Sequence, residues 1–446
     1  MLRSFARKVH GNFVVLRHLR GQKRVPYLPG DQWEALRDRR LRAIVRHAAA
    51  TVPYYRDFFR AERIEARDIR SVADLDRLPL LDKGTVWQAP ERFLSESFSA
   101  SNALPLITSG STGKPLTVYH DHESLLANIA FGERERPVIV RLAGKDVRWK
   151  EALLLYSGST FGKVLNFYQQ ATFIPLRPDR IFVSIVDPIE KVVAALNQFE
   201  PDVVIGYSGY LEMLFRTVAA RSIHLHVPRL VIFGGEAMTP AGREFIVERF
   251  GVRLTALYNA VEAFKIGFAC EAGSDYHLHA DLCHVKIVDR SGRTVPDGEK
   301  GEVVISNLVN RATILLNYRL GDMASRSNRQ CGCGRTLPLL SELEGRVEDI
   351  IRLPRGAFVH PLAVWGIFKG KPEVLRYQVI QHTMDRFSLR LATADESAYQ
   401  RVLPVVVREL RALVGETAAI ESNYHHDLAA EGPGKFRAVV SQCQAE

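Results

Sequence analysis

Residues 230–258 read LVIFGGEAMTPAGREFIVERFGVRLTALY, which has the pattern of a strand, a turn, a helix and a second strand. The apolar runs Leu230–Phe233 and Leu254–Tyr258 are short and rich in β-branched and aromatic residues, as buried strands are. Between them, Thr239 can cap a helix that has Pro240 in its first turn and continues to Phe250. This spacing predicts a parallel βαβ unit and therefore an α/β fold.

The same alternation extends on both sides of this unit. Further β-rich runs precede it, at residues 153–156, 172–174 and 203–205. Tyr210–Ala220 has the pattern of a helix between two strands. After the unit, the runs 284–289 and 302–306 flank two Gly-containing turns, which predicts a β-meander rather than another crossover. The body is thus expected to contain mixed α/β sheets and a meander.

The order of predicted strands and helices changes at about Gly345, which indicates a second domain. Two strands are predicted at 377–381 and 387–392, a helix that ends near Val414, and a further strand at 418–421. About 100 residues suffice for a small α+β domain. We predict three parts: a basic leader at residues 1–30, a large N-terminal domain at 31–344 and a small C-terminal α+β lid at 345–446.

The composition is that of a folded, soluble protein. Of the 446 residues, 46% are apolar and 25% are charged, with a mean hydropathy of −0.07. No apolar run approaches the ~18 residues that a membrane span needs. The five cysteines are odd in number and do not suit a secreted disulfide scaffold. These features predict a cytoplasmic protein.

The net charge of +10 is concentrated at the start of the chain. Residues 1–70 contain 17 Lys/Arg and 7 Asp/Glu, so the rest is neutral. Apolar residues recur every three or four positions from Leu2 to Leu16, so this segment can form a basic amphipathic helix on an anionic membrane or partner. A solvated or core-docking leader and a transit peptide are the alternatives. The basic leader alone does not indicate a nucleic-acid binder, because aromatic interleaving and a recognition helix are lacking.

Residues 108–115 read TSGSTGKP and follow the apolar pair Leu106-Ile107. Two glycines, four hydroxyls and one ammonium in eight residues can surround phosphate oxygens, because glycine allows close approach and unusual φ angles. The loop is not a Walker loop, since Thr108 stands at the first glycine position and Pro115 follows Lys114. It is a candidate phosphate loop of another kind.

These residues and five later motifs resemble the adenylate-forming enzymes, and among them the phenylacetate-CoA ligase-like branch. The later motifs are Phe233-Gly234-Gly235-Glu236-Ala237, Tyr258-Asn259-Ala260-Val261-Glu262, Tyr318-Arg319-Leu320-Gly321-Asp322, Gly345-Arg346-Val347-Glu348-Asp349 and Gly434-Lys435-Phe436-Arg437. All six occur in the family's order, which is far more specific than any single motif. The resemblance covers most of the chain and implies a large body with a small lid that rotates against it.

The resemblance also implies site residues. The loop residues would contact the ATP phosphates, namely Thr108, Ser109, Gly110, Ser111, Thr112, Gly113 and Lys114. The turn Gly234, Gly235 and Glu236 would lie beside adenine, with Tyr258 stacked on the base and Asn259 next to it. Asp322 would bind the ribose, Glu262 would hold Mg²⁺, and Glu348 would be the hinge. The catalytic residues would be Lys435, Glu262 and Arg346.

The residue types suit this chemistry. A carboxylate that attacks the α-phosphate of ATP meets a negative charge, so cations and N–H groups must screen the repulsion. Lys435 offers a compact charge on a flexible stem, whereas Arg346 offers a planar fork for ribose or phosphate oxygens. Two positions depart from the family pattern. Val261 stands where a Ser or Thr is usual, and Glu348 where Asp or Lys is more common.

Four residues form a candidate zinc site. Cys331 and Cys333 are one residue apart, so further ligands must come from elsewhere, and Cys270 and His277 are the expected donors. Related sequences of the phenylacetate-CoA ligase-like branch carry a similar pairing that can bind structural zinc. The alternatives are reduced core cysteines, or a site that uses His279 or Cys283.

The sequence therefore predicts an acid–thiol ligase that forms AMP. It would convert a carboxylic acid to acyl-AMP with ATP and Mg²⁺, and would then pass the acyl group to coenzyme A. One alternative is an amide ligase whose acceptor is an amino sugar or amino acid, as in polysaccharide or natural-product biosynthesis. The other is a non-catalytic adenylate-binding homologue, for which Val261 is the best evidence and Lys435 the counter-evidence.

Overall fold

A computed structural model of the chain describes residues 2–99, 101–108, 116–145, 148–156, 158–173, 179–235, 238, 240–273, 275–289, 291–344, 351–354, 358–359, 361–368, 371, 373–393, 395–425, 428 and 437–443. The helices before the first strand are α1 Leu2–Leu19, α2 Gly30–Thr51, α3 Pro53–Ala61 and α4 Lys83–Gln88. The later helices of the body are α5 His122–Phe131, α6 Arg136–Ala143, α7 Thr160–Ala171, α8 Ile189–Phe199, α9 Ser208–Ala220 and α10 Pro240–Phe250. No helix in these ranges is long and apolar enough to cross a bilayer.

The body is organised around an 11-stranded sheet. Its parallel half has the order β4-β3-β5-β6-β7, with β3 at Lys150–Leu155, β4 at Asp179–Ser184, β5 at Val203–Tyr207, β6 at Leu230–Gly234 and β7 at Arg253–Ala260. Its antiparallel half continues from β7 as β8-β9-β13-β12-β11-β10, with β8 at Phe264–Ala269, β9 at Tyr276–Leu278, β10 at Cys283–Val288, β11 at Lys300–Asn307, β12 at Tyr318–Ser327 and β13 at Leu339–Glu344. A separate hairpin pairs β1 (Ala103–Ile107) with β2 (Thr117–Asp121).

Apolar side chains cover both faces of the parallel half. Val204, Val231 and Phe233 pack with α8, α9 and α10 in one buried cluster. Leu153 packs with α1, α5 and α7 in another. Burial on both faces explains why these strands are continuous apolar runs rather than alternating ones. The predicted βαβ unit is confirmed by β6, α10 and β7, and the predicted meander by β10 and β11.

The small C-terminal domain has its own core. It contains β14 Ile351–Arg352, β15 Phe358–Val359, α11 Pro361–Phe368, β16 Val374–Gln381, β17 Arg386–Thr393, α12 Glu396–Val414, β18 Ala419–His425 and β19 Val439–Ser441. Four of these strands form one sheet in the order β18-β17-β16-β19. The predicted β-β-α-β set is confirmed as β16, β17, α12 and β18. The expected fold class, a large α/β body with a small α+β lid, is therefore correct.

One predicted strand is wrong. Thr172 does not begin a strand at 172–174 but ends α7, where its hydroxyl donates to the Tyr168 carbonyl at 3.0 Å. The backbone amide of Phe173 donates to the Asn12 side chain at 3.0 Å. Ile174 lies outside the described residues. The edge strand of the parallel half is β4 instead, which contains the apolar run Ile181–Val183 and exposes Phe182.

Candidate active site and Cys/His cluster

Glu262 lies at the tip of the hairpin that joins the two halves of the sheet. β7 and β8 pair antiparallel, with Ala260 opposite Phe264, so only three residues make the turn. The Ala263 amide donates to the Ala260 carbonyl at 3.1 Å, and Phe264 has φ +59°. A left-handed residue after a short turn is usual in three-residue hairpins, although glycine normally occupies that position. The tight turn brings Glu262 to the end of β7.

Two buried side chains hold this tip through its backbone. The His120 Nε2 lies 2.7 Å from the Val261 carbonyl, and the Asn307 side-chain amide donates to the Glu262 carbonyl at 3.0 Å. Burial lowers the pKa of His120 to about 4, so the ring is neutral at pH 7 and donates from Nε2. The Phe264 ring packs edge-on against it, with centroids 4.4 Å apart. These contacts fix two successive carbonyls of the tip.

Tyr258 and Asp322 are joined across the sheet. The Tyr258 hydroxyl donates to the Asp322 Oδ2 at 2.9 Å. Tyr258 lies in β7 beside a break in its register with β8, and Asp322 lies in β12. β-Bulges often aim a side chain at an active site. The Tyr318 hydroxyl in turn donates to the Glu262 Oε1 at 3.4 Å. The adenine and ribose candidates thus form one hydrogen-bonded pair, and the Mg²⁺ candidate belongs to a second pair that also involves β12.

Gly234 and Gly235 form a turn where only glycine fits. Gly235 has φ +83°, and a Cβ there would lie 3.0 Å from the Tyr207 ring. A Cβ on Gly234 would lie 2.9 Å from the Leu257 carbonyl oxygen. Tyr207 pairs with Gly234, and Gly234 with Leu257, so the ends of β5, β6 and β7 are adjacent. Ligands of α/β proteins bind at this carboxyl edge.

Two hydrogen bonds join the ends of the candidate phosphate loop. The Thr108 amide donates to the Leu116 carbonyl at 2.9 Å, and the Leu116 amide donates to the Thr108 hydroxyl at 3.0 Å. The Thr108 hydroxyl therefore accepts a hydrogen bond within the chain. Ser109, Gly110, Ser111, Thr112, Gly113 and Lys114 lie outside the described residues, as do Glu236, Arg346, Glu348 and Lys435. Asn259 belongs to β7, next to Tyr258.

Glu262 suits a magnesium ion. Its side chain is almost fully buried, and one carboxylate oxygen is oriented by Tyr318. Mg²⁺ is usually bound by one or two carboxylates together with substrate phosphates and water, so a single well-held carboxylate is sufficient. The residues present therefore fit the ion that the motif implies.

The four cysteine and histidine residues of the predicted zinc site meet in space. The ligand atoms of Cys270, His277, Cys331 and Cys333 all lie within 4.8 Å of one another. Cys270 directly follows β8, His277 is in β9, and the two other cysteines lie between β12 and β13. The Cys270 and Cys331 Sγ atoms are 3.5 Å apart, and the Cys333 Sγ is 3.3 Å from His277 Nε2. We call these residues the Cys/His cluster.

The electrostatics of the Cys/His cluster favour a bound cation. Burial, and then Arg335, lower the pKa of His277 to about 4, so its imidazole is in the neutral form that binds metals. Burial raises the pKa of Cys270 to about 12. Burial also acts to raise the pKa of Cys333, but the N–H groups of Arg335 overcome it and lower that pKa. A cation would stabilise the thiolates that burial otherwise disfavours.

The donor set and its spacing fit zinc. Zn²⁺ in structural sites takes four Cys and His ligands in a tetrahedron, in which ligand atoms are about 3.5–4 Å apart. The competing ligands are occupied elsewhere. His279 Nε2 lies 2.8 Å from the Glu135 carboxylate, and Cys283 Sγ donates to the carbonyl of the next residue. The structure thus brings the four predicted ligands together, whereas His279 and Cys283 have other partners.

Sequence reasoning missed the residues that support the tip. His120 precedes the tip by about 140 positions and Asn307 follows it by 45, and neither belongs to a motif. The only signal at His120 is a histidine in an alternating run, Thr117–Asp121, which is equally typical of an ordinary strand. Their role depends on the pairing of distant strands.

Comparison with known proteins places the chain in a family. Residues 33–309 match the family described as AMP-binding enzyme, and residues 351–442 match the CapK C-terminal domain. The chain is 25% identical over 388 residues to phenylacetate-coenzyme A ligase of Thermus thermophilus, with 84% of each chain covered. It is 18% identical over 422 residues to protein CapK of Staphylococcus aureus, which covers 91% of this chain and 88% of that protein.

A solved structure shows the same fold. The 2-hydroxyisobutyryl-CoA ligase in complex with 2-HIB-AMP and CoA is 18% identical, with a TM-score of 0.63 and coverage of 94% of this chain and 91% of that chain. The AMP-binding match alone spans more than half of the sequence. The chain therefore belongs to the AMP-binding enzyme family, as an adenylate-forming ligase of the branch that includes phenylacetate-CoA ligases and CapK.

Proposed function

We propose that the enzyme activates a carboxylic acid with ATP and transfers the acyl group to the thiol of coenzyme A. The observation that carries the proposal is two hydrogen-bonded pairs, Tyr258 with Asp322 and Tyr318 with Glu262, where β7 ends and beside it in β12. They offer an aromatic ring for a base, a carboxylate for ribose hydroxyls and a second carboxylate for a metal. The similarity to ligases named for coenzyme A supports the choice of acceptor.

In the first step, a carboxylate oxygen of the acid forms a bond to the α-phosphorus of ATP. The bond to the bridging oxygen breaks, and pyrophosphate leaves with its electrons. Tyr258 and Asp322 would hold the nucleoside, and Glu262 would hold Mg²⁺, which screens the phosphate charges. His120 and Asn307 would keep Glu262 in place through the backbone. Positioning of this kind reduces the barrier because the charges need not reorganise during the reaction.

The remaining roles follow from the resemblance. The loop from Thr108 to Lys114 would bind the β and γ phosphates, and Gly234, Gly235, Glu236 and Asn259 would lie around the adenine. Lys435 would stabilise the charge on the α-phosphate, and Arg346 would contact ribose or phosphate oxygens. In the second step, the lid would rotate at Glu348, which would withdraw Lys435 and admit the thiol.

The variant Lys435→Ala tests this assignment. Acid-dependent pyrophosphate release should fall at least about 100-fold, because the ammonium acts mainly in the transition state. ATP binding, measured by calorimetry, should change little. Lys371→Ala is the matched control, because Lys371 is another lid lysine and pairs with Glu409 at 2.7 Å. Equal turnover of the Lys435 variant and the parent would remove Lys435 from the mechanism.

An amine of an amino sugar or amino acid is the alternative acceptor. The lid is the part that meets the second nucleophile in the proposed cycle, and its residues 351–442 match the CapK C-terminal domain. A screen of aryl, aliphatic and amino acids for pyrophosphate release, with mass detection of thioester or amide products, separates the two. A purely binding homologue predicts no release with any acid.

We also propose that the Cys/His cluster binds structural zinc. The four donors satisfy a closed tetrahedral site without a free position for substrate, which is the arrangement of structural rather than catalytic zinc. The cluster begins at Cys270, at the far end of β8 from Glu262, so zinc would tie the loop of Cys331 and Cys333 to β8 and β9. Elemental analysis of unchelated protein should give about one zinc per chain.

A further inference from the structure

The helix α1 is docked on the body by one face. Val14 and Val15 are 3% and 1% exposed and join the cluster that includes α5 and α7. A Cβ on Gly11 would lie 1.9 Å from the carbonyl oxygen of Ala171, so glycine permits this close approach to the end of α7. The helix is therefore a fixed part of the surface, and its orientation determines which side chains face outward.

The outward face of α1 is also apolar. Phe5, Val9, Phe13 and Leu16 are 62%, 49%, 65% and 61% exposed. They are spaced four, four and three residues apart, so they lie on one side of the helix. Phe173 extends this surface, since its ring is 48% exposed and 5.5 Å from that of Phe5. We call these five residues the outer stripe. A surface helix normally has polar residues opposite its buried face.

The sequence that carries the outer stripe is basic. Its basic residues are Arg3, Arg7, Lys8, Arg17, Arg20, Lys23 and Arg24, and no acidic residue precedes Asp31. Two of them pair with the body through exposed contacts, Arg17 with Glu123 at 3.5 Å and Lys23 with Glu133 at 3.6 Å. Lys8 lies over the Phe173 ring at 5.2 Å. The two carboxylates offset two of the seven positive charges, so the segment keeps a positive excess.

We propose that α1 is a membrane-docking helix that holds the ligase on an anionic lipid bilayer. The outer stripe would enter the boundary between headgroups and acyl chains, and the basic residues would contact lipid phosphates. Helices with an apolar face and a basic margin lie in the interface and are buried by about 5–10 Å. Each Lys or Arg near an anionic surface adds to the attraction. The net positive charge of the chain thus lies in the same segment as the outer stripe, where an anionic bilayer would contact the protein.

A second copy of the chain fits this surface less well. In a two-fold dimer the same patch faces itself, so the basic residues of both copies would be brought together. Like charges at short distance oppose association, whereas anionic lipids are attracted. The charge complementarity therefore favours the bilayer. This proposal does not depend on the acid, on the acceptor or on Lys435.

Co-sedimentation with vesicles tests the proposal. The full-length protein should pellet with vesicles of phosphatidylcholine and phosphatidylglycerol in equal parts, and should remain in solution with phosphatidylcholine alone or at high salt, where charges are screened. The variant Phe5→Ser, Phe13→Ser, Leu16→Ser should lose at least about tenfold in vesicle affinity, because it removes most of the apolar insertion. Its melting temperature should stay near that of the parent, because the replaced side chains are exposed.

The matched control replaces exposed apolar residues elsewhere. Phe182 and Val186 are 54% and 45% exposed near the far edge of the sheet, so Phe182→Ser, Val186→Ser should bind vesicles like the parent. Failure of the parent to pellet with anionic vesicles overturns the proposal, whatever the variants do. Equal binding by the outer-stripe variant also overturns it. A third result overturns the proposal: the parent sediments as a dimer and does not bind vesicles, whereas the outer-stripe variant is a monomer. In that case a second copy of the chain covers the surface.

Discussion

The two ends of β8 show two ways of holding a polar site. The strand has six residues and so spans about 20 Å, with Glu262 just before one end and Cys270 directly after the other. At the first end, His120 and Asn307 bind backbone carbonyls, while the Glu262 carboxylate accepts from the Tyr318 hydroxyl. At the second end, four side chains converge on one another. One end of β8 presents a single carboxylate, and the other end encloses a candidate metal site.

Because the two ends of β8 are held differently, substitutions at each end should have different effects. A tip that is held through its backbone keeps its shape when the side chain that carries the chemistry is changed, so substitutions there should alter activity more than folding. The Cys/His cluster packs against Phe268 and Leu337, but a bound cation would add its binding free energy to the stability of the fold. Changes there should alter folding more than chemistry. The following predictions, from the largest effect to the smallest, test this contrast.

Loss of one cluster ligand should have the largest effect. Cys331→Ser should abolish zinc binding and destabilise the body by several kcal/mol, because the binding free energy of a structural zinc is folding free energy. At about 2–4 °C per kcal/mol, the melting temperature should fall on the order of 10 °C. Calorimetry and zinc analysis check both effects.

The free cysteine Cys443 supplies the control for this change. It lies outside the cluster and is partly exposed, so Cys443→Ser should leave the zinc content and the melting temperature unchanged. Prolonged chelation of the parent should reproduce the melting temperature of the Cys331 variant. A parent that contains no zinc and melts equally with and without chelator would show that the cluster is a group of reduced cysteines.

Glu262→Gln should have the largest effect on catalysis among changes at the tip. The amide keeps the shape and removes the charge that would hold Mg²⁺, so the rate of acid-dependent pyrophosphate release should fall about 100- to 1000-fold. The melting temperature should change by less than about 2 °C, since no apolar contact is lost. Glu96→Gln, at an exposed glutamate paired with Arg56, is the control. Activity within threefold of the parent would exclude Glu262 as a metal ligand.

The pH dependence of stability should report the buried His120. Its pKa is lowered to about 4 in the folded state, so between pH 6.5 and 4 the unfolded chain binds a proton that the native ring does not. The free energy of unfolding therefore falls as the pH drops through that window, by up to about 3 kcal/mol from this group. Urea unfolding at pH 7 and pH 4.5 measures the change.

His120→Gln isolates this contribution from those of other buried histidines. Glutamine can still donate to the Val261 carbonyl but does not titrate, so the difference in unfolding free energy between the two pH values should be smaller in the variant. Burial also lowers the pKa of His284, to about 3, and that residue is unchanged in both proteins. If parent and variant lose the same stability on acidification, the ring of His120 does not titrate as a buried neutral group.

The sequence predicts the fold better than it predicts the residues that position the site. The apolar runs of β5, β6 and β7 are legible because both faces of these strands are buried, so the chain itself carries the signal. The edge strand β4 is not predicted, although Ile181, Phe182 and Val183 form an apolar run in which only Phe182 is exposed. The joining of the parallel and antiparallel halves into one sheet depends on the β7–β8 hairpin, whose three-residue turn has no glycine to mark it in the sequence.

The same distinction holds within the sites. Cys270, His277, Cys331 and Cys333 could be named from the sequence because thiols and imidazoles are rare and their pairing resembles a family pattern. His120 and Asn307 could not, because a histidine or asparagine in a strand gives no sign of the carbonyl that it will meet. Residues that carry chemistry are visible in motifs, whereas residues that position them become visible only when distant strands are paired.

Val261→Thr should have the smallest effect and bears most directly on how the tip is held. The Val261 side chain packs at the margin of two apolar clusters, while its carbonyl is bound by His120. A hydroxyl in this place should cost about 1 kcal/mol of stability, because valine and threonine differ in polarity and not in size. The rate of pyrophosphate release should remain within about threefold of the parent, since the backbone contact that positions Glu262 is kept. Val261→Ala, which removes packing without adding a hydroxyl, should lose similar stability and the same small part of the activity. A Thr variant that is far more active than the parent would mean that the side chain at 261 contacts the substrate, and that the tip is not held by its backbone alone.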